Sequence, residues 1–382
     1  EGCMKKKNKV IVNLSALANI KSGRQQRPGL RILLMMFSLV CAAASVQAQP
    51  QGMLDRLEKP AHKAVKAAES SLNSLALAGD RTVVVGERGH ILWMDGADNH
   101  WRQADVPVSS DLTAVQFVDE NTGWVVGHDG VVLHSQDGGE SWSLQLNGHQ
   151  IAALHEALAG VLSASGDERS AEKLSFGADQ GVDQSLLALH FSDANHGIVV
   201  GASNLALETR DGGASWSVIS HHIDNESGLH LYGVVEALGA LYVLGEQGLI
   251  LKKNPQTATY HAVKSPYRGS WFGGIGSHDR LLAYGLLGNT WVTADGENWL
   301  KSDMNSSVAI TSASSVSATD LVLVSLNGEV FYSNDGGKRF ETQALGSQYP
   351  FYAVQAKDSE TLVVAGLNGV KIIKINKDEE YP

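Results

Sequence analysis

The sequence predicts an all-β fold, a β-propeller of seven four-stranded blades with one mainly helical insertion between the second and third blades. A repeat of about forty residues and short strand-like runs inside each repeat carry this prediction. The composition agrees, because 43% of the 382 residues are hydrophobic and 40 glycines accompany only 8 prolines. A chain this apolar can bury a large core and is not typical of a disordered protein.

The repeat is clearest when the chain is aligned on one turn of each unit. That turn begins, in successive units, at Gly86, Gly127, Gly201, Gly245, Gly285, Ser325 and Gly366. The separations are 41, 74, 44, 40, 40 and 41 residues, and the long interval contains the segment 146–184. A four-stranded unit cannot bury both faces of its sheet alone, so neighbouring units must pack radially. We therefore predict a propeller over residues 72–376 with an insertion at 146–184.

The unit at 112–145 shows the four strands best. Its strand-like runs are Leu112–Phe117, Gly123–Val126, Val131–His134 and Ser141–Gln145, separated by the turn sequences DENT, GHDG and QDGGE. Gly and Asp supply the positive φ angles and side-chain-capped positions that such turns need. Each unit is therefore expected to form a meander of antiparallel strands.

The last turn of several units carries the Asp-box pattern [ST]-x-D-x-G-x-[ST]-W. It is intact at 135–142 (SQDGGESW) and 209–216 (TRDGGASW), and altered at 293–299 (TADGENW) and 333–340 (SNDGGKRF). The carboxylate can accept hydrogen bonds from its own turn while the aromatic side chain packs between blades, so we interpret the motif as structural. The residues with this predicted role are Asp137, Trp142, Asp211, Trp216, Asp295, Trp299, Asp335 and Phe340.

Residues 1–48 are interpreted as a secretory signal peptide. An apolar run at 30–44 (LRILLMMFSLVCAAA) follows a basic lead, and Val46-Gln47-Ala48 resembles a cleavage site. An uncleaved N-terminal anchor is the alternative. Cleavage after Ala48 would give an exported protein that does not span a membrane, in the periplasm or, in a photosynthetic host, the thylakoid lumen. Both cysteines, Cys3 and Cys41, precede the cut, so the mature chain would have neither thiols nor disulfides.

The charge of the chain argues against nucleic-acid binding. Residues 1–48 hold eight of the 30 Lys and Arg and one of the 41 acidic residues, which leaves 22 basic and 40 acidic residues, a net charge of -18. Such a body repels polyphosphate. No cofactor motif is found. His221, His222 and His230 lack the spacing of a helical metal site, so we expect neither a cofactor nor a metal.

The two ends of the repeat region raise the question of how the ring closes. The seventh unit has three strand-like runs within 352–375, followed by a charged tail at 377–382. We predict that part of residues 49–71 supplies the missing outer strand of the last blade, which would remove an unpaired edge. The alternative for this segment is a helix, because LDRLEKPAHKAVKAAESSL is rich in Ala and Lys and Pro60 suits a first helical turn.

The insertion begins with a helical pattern. Ile151, Leu154 and Leu158 recur at helical spacing within 149–164 (HQIAALHEALAGVLSA). This apolar stripe must cover either the propeller's own surface or a partner. The polar, Gly-containing segment 165–184 is expected to be a mobile loop.

In a propeller, the turns between second and third strands share one end with the connections between blades. Loops at that end can vary over a rigid scaffold and carry function. The candidate partner-binding residues there are Arg88, His128, Ile151, Leu154, Leu158, His222, Tyr267, Arg268, Trp271 and Tyr349. The alternative for Trp271 and Tyr349 is that they open a core strand and pack inward.

The repeats at 123–142 (GWVVGHDGVVLHSQDGGESW) and 196–216 (HGIVVGASNLALETRDGGASW) resemble those of the photosystem II stability/assembly factor family. The resemblance extends over residues 72–375 and includes relatives in non-photosynthetic bacteria. It implies a non-enzymatic helper that binds a membrane-protein complex during assembly. Photosynthetic members hold their client through an arginine-rich patch, for which this sequence has no equivalent cluster. The non-photosynthetic relatives are associated with exporters of the resistance-nodulation-division type, which implies an envelope partner.

These observations together predict a monomeric, exported, non-catalytic propeller that binds another protein. One alternative is a glycoside hydrolase, sialidase-like, which requires two facing carboxyl groups, one with a raised pKa. The other is a carbohydrate-binding propeller, which requires exposed aromatic side chains that stack on sugars.

Overall fold

The computed structural model describes residues 56–96, 98, 100–343 and 348–375, all within one compact unit of the chain. These residues form seven sheets, the blades of the predicted propeller, and two helices between blades 2 and 3. The innermost strands of successive blades contact one another, and those of blades 7 and 1 do so as well. The ring is therefore closed.

Each blade is an antiparallel meander whose strands follow one another from the inside outward. Blade 1 contains β1 Leu72–Ala78, β2 Arg81–Gly86, β3 Ile91–Met94 and β4 Arg102–Gln103. Blade 2 contains β5 Leu112–Phe117, β6 Gly123–Gly127, β7 Val132–Ser135 and β8 Ser143–Leu146. The insertion contains α1 Gly148–Ser165 and α2 Glu168–Asp179. Blade 3 contains β9 Leu186–Phe191, β10 Gly197–Gly201, β11 Ala206–Thr209 and β12 Ser217–Val218.

The remaining blades repeat this order with two departures. Blade 4 contains β13 Leu231–Ala237, β14 Ala240–Gly245, β15 Ile250–Lys253 and β16 Tyr260–Ala262. Blade 5 contains β17 Trp271–Gly276, β18 Leu281–Gly285, β19 Thr290–Thr293 and β20 Trp299–Lys301. Blade 6 contains β22 Ile310–Ser315, β23 Leu321–Ser325, β24 Val330–Ser333 and β25 Arg339–Gln343, with β21 Asp303–Met304 added in parallel outside β25. Blade 7 has three strands, β26 Phe351–Ala356, β27 Thr361–Gly366 and β28 Gly369–Lys374.

The glycine that ends the second strand of six blades is explained by a close backbone approach. In blade 3, a Cβ on Gly201 would lie 1.9 Å from the carbonyl oxygen of Ser185, just before the inner strand. The N–H of Ala202 donates to that carbonyl at 2.9 Å, which holds it against the glycine. Blade 6 has Ser325 in place of glycine, and there the N–H of Leu326 donates to the Ala309 carbonyl at 3.1 Å.

The apolar core lies between adjacent blades. Trp124 of β6 is fully buried and stacks on Phe191 of β9, with ring centroids 3.7 Å apart. Its other neighbour is His134, at 4.8 Å. Trp142 of the blade 2 Asp box is also buried and meets Phe117 edge-on at 5.9 Å. Aromatic side chains thus fill the wedge-shaped space between sheets, where area burial dominates stability.

The predicted closing strand is not found within the described part of the N-terminal segment, 56–71. These residues form turns and one 3-10 turn, Ala67–Glu69, so the alternative of a regular helix is also wrong there; residues 49–55 lie outside the described residues. Ala67 instead packs in an apolar cluster with residues of blades 1 and 7. Gly369 of β28 allows this, because a Cβ there would lie 1.9 Å from the carbonyl oxygen of Ala68. In this region, blades 7 and 1 are joined by side-chain packing and not by a shared strand.

In the Asp boxes each carboxylate is used inside its own turn. Asp211 accepts hydrogen bonds from the backbone N–H of Ser215 at 2.8 Å and from the hydroxyl of Thr209 at 2.8 Å. Gly213 has φ 88° and donates its N–H to the Thr209 hydroxyl oxygen at 2.8 Å. The hydroxyl and then the N–H of Ser215 lower the pKa of Asp211 below its ordinary value. Asp295 has its pKa lowered by the side chain and N–H of Asn298. The carboxylate of Asp137 likewise accepts from two N–H groups of its turn.

These lowered pKa values predict a loss of stability in acid. A depressed folded-state pKa gives stabilisation that is complete above the ordinary aspartate value of 3.8 and is lost as the pH falls toward the folded-state value. We expect the Tm to fall below about pH 4, and Asp211→Asn or Asp295→Asn to flatten that fall. Glu156→Gln, on the exposed surface of α1, is the control and should leave the pH profile unchanged. The assignment fails if the variants retain the wild-type slope between pH 4 and pH 2.5.

The insertion is more ordered than its sequence suggested. Helix α1 begins with a capping box, in which Asn147 and Gln150 bond each other's backbone N–H. The segment expected to be a mobile loop contains α2, whose N-cap Asp167 accepts from the N–H of Ser170. Ala171 and Leu174 of α2 are buried against α1 and blade 3. Helix α2 is therefore stabilised by tertiary packing, which its largely polar sequence did not indicate.

Candidate protein-binding site

The turns between second and third strands and the blade connections lie at the same end of the propeller, as predicted. In blade 4, a Cβ on Gly248 would lie 2.1 Å from the carbonyl oxygen of Tyr267, in the following connection. The insertion leaves from this end too, because Gly130 of the blade 2 turn approaches Gly148 at the start of α1. We call this end the insertion face.

A cleft of about 620 Å³ on the insertion face separates α2 from blade 3 and the connection to blade 4. We call it the α2 cleft. Leu174 and Phe176 line it from α2, and Leu205 and Ile223 line it from the propeller. Leu174, Leu205 and Ile223 are buried, whereas Phe176 is 64% exposed. The cleft thus has an apolar floor and a rim that is open to solvent.

Helix α1 places His155 in the wall of the α2 cleft. Its side chain is only 4% exposed, and neither ring nitrogen has a hydrogen bond of good geometry. The ring packs on the backbone of Gly177 in α2, where a Cβ would lie 2.6 Å from Nδ1. The Gly177 carbonyl already accepts from Gln184 Nε2 at 3.0 Å. Burial lowers the pKa of His155, so the ring is neutral at pH 7.

A second histidine, His221, also lines the α2 cleft. Its Nδ1 is buried without a hydrogen-bond partner, and burial followed by the neighbouring His222 lowers its pKa. His222, one of the sequence candidates, is exposed beside it, with ring centroids 3.9 Å apart. At the rim, Arg169 of α2 bonds Glu226 of the propeller at 3.1 Å. This pair is well exposed and is therefore worth little to stability.

Leu287 is the most unusual residue of the turns on the insertion face. It lies at φ 57° in the blade 5 turn and its side chain is 62% exposed. Blades 1 to 4 have the polar residues Arg88, Asp129, Ser203 and Gln247 in the same left-handed position. A leucine there is doubly unfavourable, because the conformation is strained and the apolar side chain faces water. Such a residue points to function rather than folding.

Exposed apolar side chains continue on the insertion face in the next two blades. Leu326 and Leu367 lie in the turns of blades 6 and 7, and Tyr349 lies in the connection between these blades. Together with Leu286 and Leu287 they form what we call the apolar turn sector. Grouped exposed apolar residues at one end of a protein mark an interaction surface.

Two of the predicted contact residues are core residues. Trp271 is fully buried, and its Nε1 donates to the Ser265 hydroxyl at 3.1 Å. Ile151 is fully buried against blades 2 and 3, and Leu154 and Leu158 are half-buried on the same cluster. The stripe of Ile151, Leu154 and Leu158 thus packs on the propeller's own surface, one of the two alternatives for it, and partner binding by these residues stays a prediction. The alternative that Trp271 packs inward is the observed one.

The other sequence candidates lie at the surface of the insertion face. Tyr267 is half-buried beside Trp271 and donates its hydroxyl to the Leu286 carbonyl at 3.2 Å, while Arg268 is exposed. These two residues therefore border the apolar turn sector, to which Tyr349 belongs. Arg88 is exposed on blade 1, and His128 bonds the Ser185 hydroxyl at 2.7 Å beside blade 2. Arg88 and His128 thus belong to other blades than the sector.

Sequence reasoning missed His155, Phe176 and the turn leucines of blades 6 and 7 as candidates. The leucines could have been found, because the aligned turns show an apolar residue after Ser325 and after Gly366. His155 follows Ile151 by four residues and so lies on the buried side of α1, but nothing in the sequence shows that its nitrogens lack partners. Phe176 belongs to the helix that was expected to be a loop.

Two features of the described residues concern metal binding and acid–base chemistry. No group of three or more His, Cys, Asp or Glu side chains among them is placed to hold a metal ion. The carboxyl groups whose pKa is shifted are aspartates such as Asp193 and Asp279, and in each the shift is downward. That direction is opposite to the one that a general acid requires. In the same ranges, none of the helices is both long and apolar enough to cross a membrane.

Comparison with known proteins finds similarity to photosystem II assembly factors. A family model described as the photosynthesis system II assembly factor YCF48 matches residues 93–169 and 173–266. The photosystem II assembly lipoprotein Ycf48 of Synechococcus sp. (strain CC9902) is 24% identical over 291 residues, which cover 70% of this chain and 73% of that protein. The chain is therefore similar to photosystem II assembly factor-like β-propellers.

Solved structures of YCF48 proteins share the fold of this chain. YCF48 from Cyanidioschyzon merolae superposes with a TM-score of 0.60 at 17% identity, over 84% of this chain and 99% of that one. YCF48 bound to D1 peptide superposes with a TM-score of 0.59 at 14% identity, over 81% of this chain and 95% of that one. The assembly factor-like fold is therefore retained where little sequence identity remains.

Proposed function

We propose that this chain is a non-catalytic, exported propeller that binds a membrane-protein complex as an assembly or accessory factor, and that the insertion face is its contact surface. The exposed, strained Leu287 carries the proposal, because neither packing nor turn chemistry accounts for a leucine at that position. The D1 peptide bound to the related YCF48 supports a protein ligand. A partner of the resistance-nodulation-division exporter type, implied by the family resemblance, stays a prediction.

Export is part of the proposal. The basic and apolar pattern of residues 1–48 supports a signal peptide cleaved after Ala48, and hence a periplasmic or thylakoid-lumen location. The name of the Synechococcus relative, an assembly lipoprotein, is compatible with an exported protein.

Leu287→Asn combined with Leu326→Ser tests the contact surface. Asparagine tolerates the left-handed conformation better than leucine, so this variant should fold at least as well as wild type. The full chain with a C-terminal tag, so that residues 1–48 can direct export, would be expressed in the native host and recovered from detergent-solubilised envelope. We expect wild type to bring down one membrane complex and the double variant to recover at least tenfold less of it, or about 1.4 kcal/mol in binding.

Leu300→Ser is the matched control, because Leu300 is 53% exposed but lies on the outer strand β20. It should recover the wild-type amount. Equal recovery by all three proteins would refute the contact surface. Recovery of no membrane protein by wild type, together with binding to a glycan array, would favour the carbohydrate-binding alternative.

A further inference from the structure

The α2 cleft has the properties of a ligand site rather than of a packing defect. Its volume of about 620 Å³ lies within the range of small-molecule and peptide pockets. Apolar residues form the floor, and a few polar side chains, among them His155, His221 and Gln184, reach into it. The insertion that forms one wall is the only long connection between the described blades. The cleft therefore depends on this insertion and is not part of the repeated blade structure.

His155 defines what the ligand must offer. A neutral imidazole has one N–H donor and one acceptor nitrogen. The Gly177 backbone interacts with the ring on its Nδ1 side, whereas Nε2 is buried without a hydrogen-bond partner. Buried polar groups of native proteins are hydrogen-bonded in the great majority of cases, so a bound partner is the natural complement. A secondary amide provides both an acceptor oxygen and a donor N–H.

Charge restricts the ligand further. The lining residues Glu172, Asp183 and Glu226 are acidic, and Lys173 is the basic residue among them. Arg169 is engaged with Glu226 at the rim. An acidic side chain or a C-terminal carboxylate entering this cleft would meet like charge, whereas an uncharged or basic segment would not.

We propose that the α2 cleft binds an internal, uncharged or basic segment of a partner polypeptide, with one apolar side chain on the floor and a backbone amide hydrogen-bonded to His155. Phe176 at the rim covers the inserted side chain. The open rim lets the segment enter and leave as an extended chain, so no free terminus is needed. The identity of the ligand as a polypeptide rests on the proposed function.

Capped tetrapeptides test this site directly. The probes are Ac-Ala-Leu-Leu-Ala-NH2 and Ac-Ala-Glu-Glu-Ala-NH2, titrated into residues 49–382 while the His155 ring Cε1–H resonance is followed by NMR. We expect a saturable shift with the leucine peptide and at least tenfold weaker binding of the glutamate peptide. His155→Phe fills the same space without nitrogens and should weaken binding of the leucine peptide at least tenfold. Because this variant has no His155 resonance, its peptide binding is followed by the methyl resonances of Leu174.

His134→Phe is the matched control, because His134 is half-buried with an unpaired Nε2 but stacks on Trp124 in blade 2. It should leave the affinity unchanged. His155→Gln gives a second measurement if the phenylalanine variant fails to fold, since glutamine keeps a donor and an acceptor and should retain part of the affinity. Absence of a saturable shift at His155, tighter binding of the glutamate peptide, or equal affinity of His155→Phe would each overturn the proposal.

The outcome is distinguishable from failure of the proposed function. If the leucine peptide binds at His155 while no membrane complex is recovered from the envelope, the cleft is a peptide site and the assembly role is wrong. If the complex is recovered equally by wild type and His155→Phe and no peptide shift is seen, the assembly role stands and the cleft proposal fails.

Discussion

Trp271→Ala should lower the free energy of unfolding by about 3–5 kcal/mol, the cost of removing a fully buried tryptophan from a packed core. The side chain has no solvent exposure, meets Tyr267 edge-on at 5.3 Å and packs with buried residues of blades 4 and 5. Its indole N–H donates to the Ser265 hydroxyl, so the substitution also leaves that group without its donor. Urea unfolding of residues 49–382, with the slope checked for two-state behaviour, measures the change.

The same variant separates the two roles considered for Trp271. If Trp271 were a contact residue, the substitution would change stability little and would abolish partner binding. If it is a core residue, the substitution lowers stability strongly and changes partner binding little. Leu300→Ala serves as the comparison, because that side chain is largely exposed on β20 and should change stability by less than about 0.5 kcal/mol. A Trp271→Ala protein as stable as wild type would mean that the indole is not a core residue in solution.

Gly201→Ala should destabilise the propeller by about 3 kcal/mol or more, although alanine is usually the mildest replacement for glycine. Gly201 has extended backbone angles that any residue can adopt, so the effect is steric and not conformational. The new Cβ would lie 1.9 Å from the Ser185 carbonyl oxygen and 2.9 Å from the Leu186 Cα, both of which are backbone atoms that cannot rotate away. Relief requires separating the inner and second strands of blade 3.

Gly160→Ala is the opposite case within the same chain. Gly160 lies inside α1 with no atom near the position of an added Cβ, so alanine should stabilise the protein by about 0.5–1 kcal/mol. Comparing the two Tm values in one background isolates the steric effect from the propensity effect. Similar shifts for both variants would show that the close approach at Gly201 is not maintained in solution.

Much of the fold could be predicted because its information is local and repeated. In six blades, the glycine equivalent to Gly86 and Gly127 lies against a backbone carbonyl just before the inner strand. This one steric requirement, repeated in each of these blades, produces the regular glycine spacing in the sequence. The Asp boxes are predictable for the same reason, since the carboxylates of Asp137 and Asp211 accept hydrogen bonds from residues of their own turns. Helix α1 was predicted from the spacing of Ile151, Leu154 and Leu158, which are i, i+3 and i+7 on one helix.

The candidate site was less predictable because its residues meet only through packing between distant segments. The α2 cleft joins a helix of the insertion to the turn of blade 3 and the connection to blade 4, and no periodic pattern relates these three segments. Trp271 begins the inner strand of blade 5 and Tyr349 precedes that of blade 7, and the two looked equivalent in sequence, yet one is buried and the other exposed. Their neighbours, not their types, decide this.

The sequence by itself determined the number of blades, the place of the insertion and the turn chemistry, because hydrogen bonds and steric contacts within about forty residues fix these features. Tertiary structure alone decided that 56–71 contributes packing rather than a strand, that α2 is a helix, and that His155 is buried without a partner. These outcomes depend on which surfaces remain uncovered once the ring has closed. That is a property of contacts between blades, which a repeat pattern does not encode.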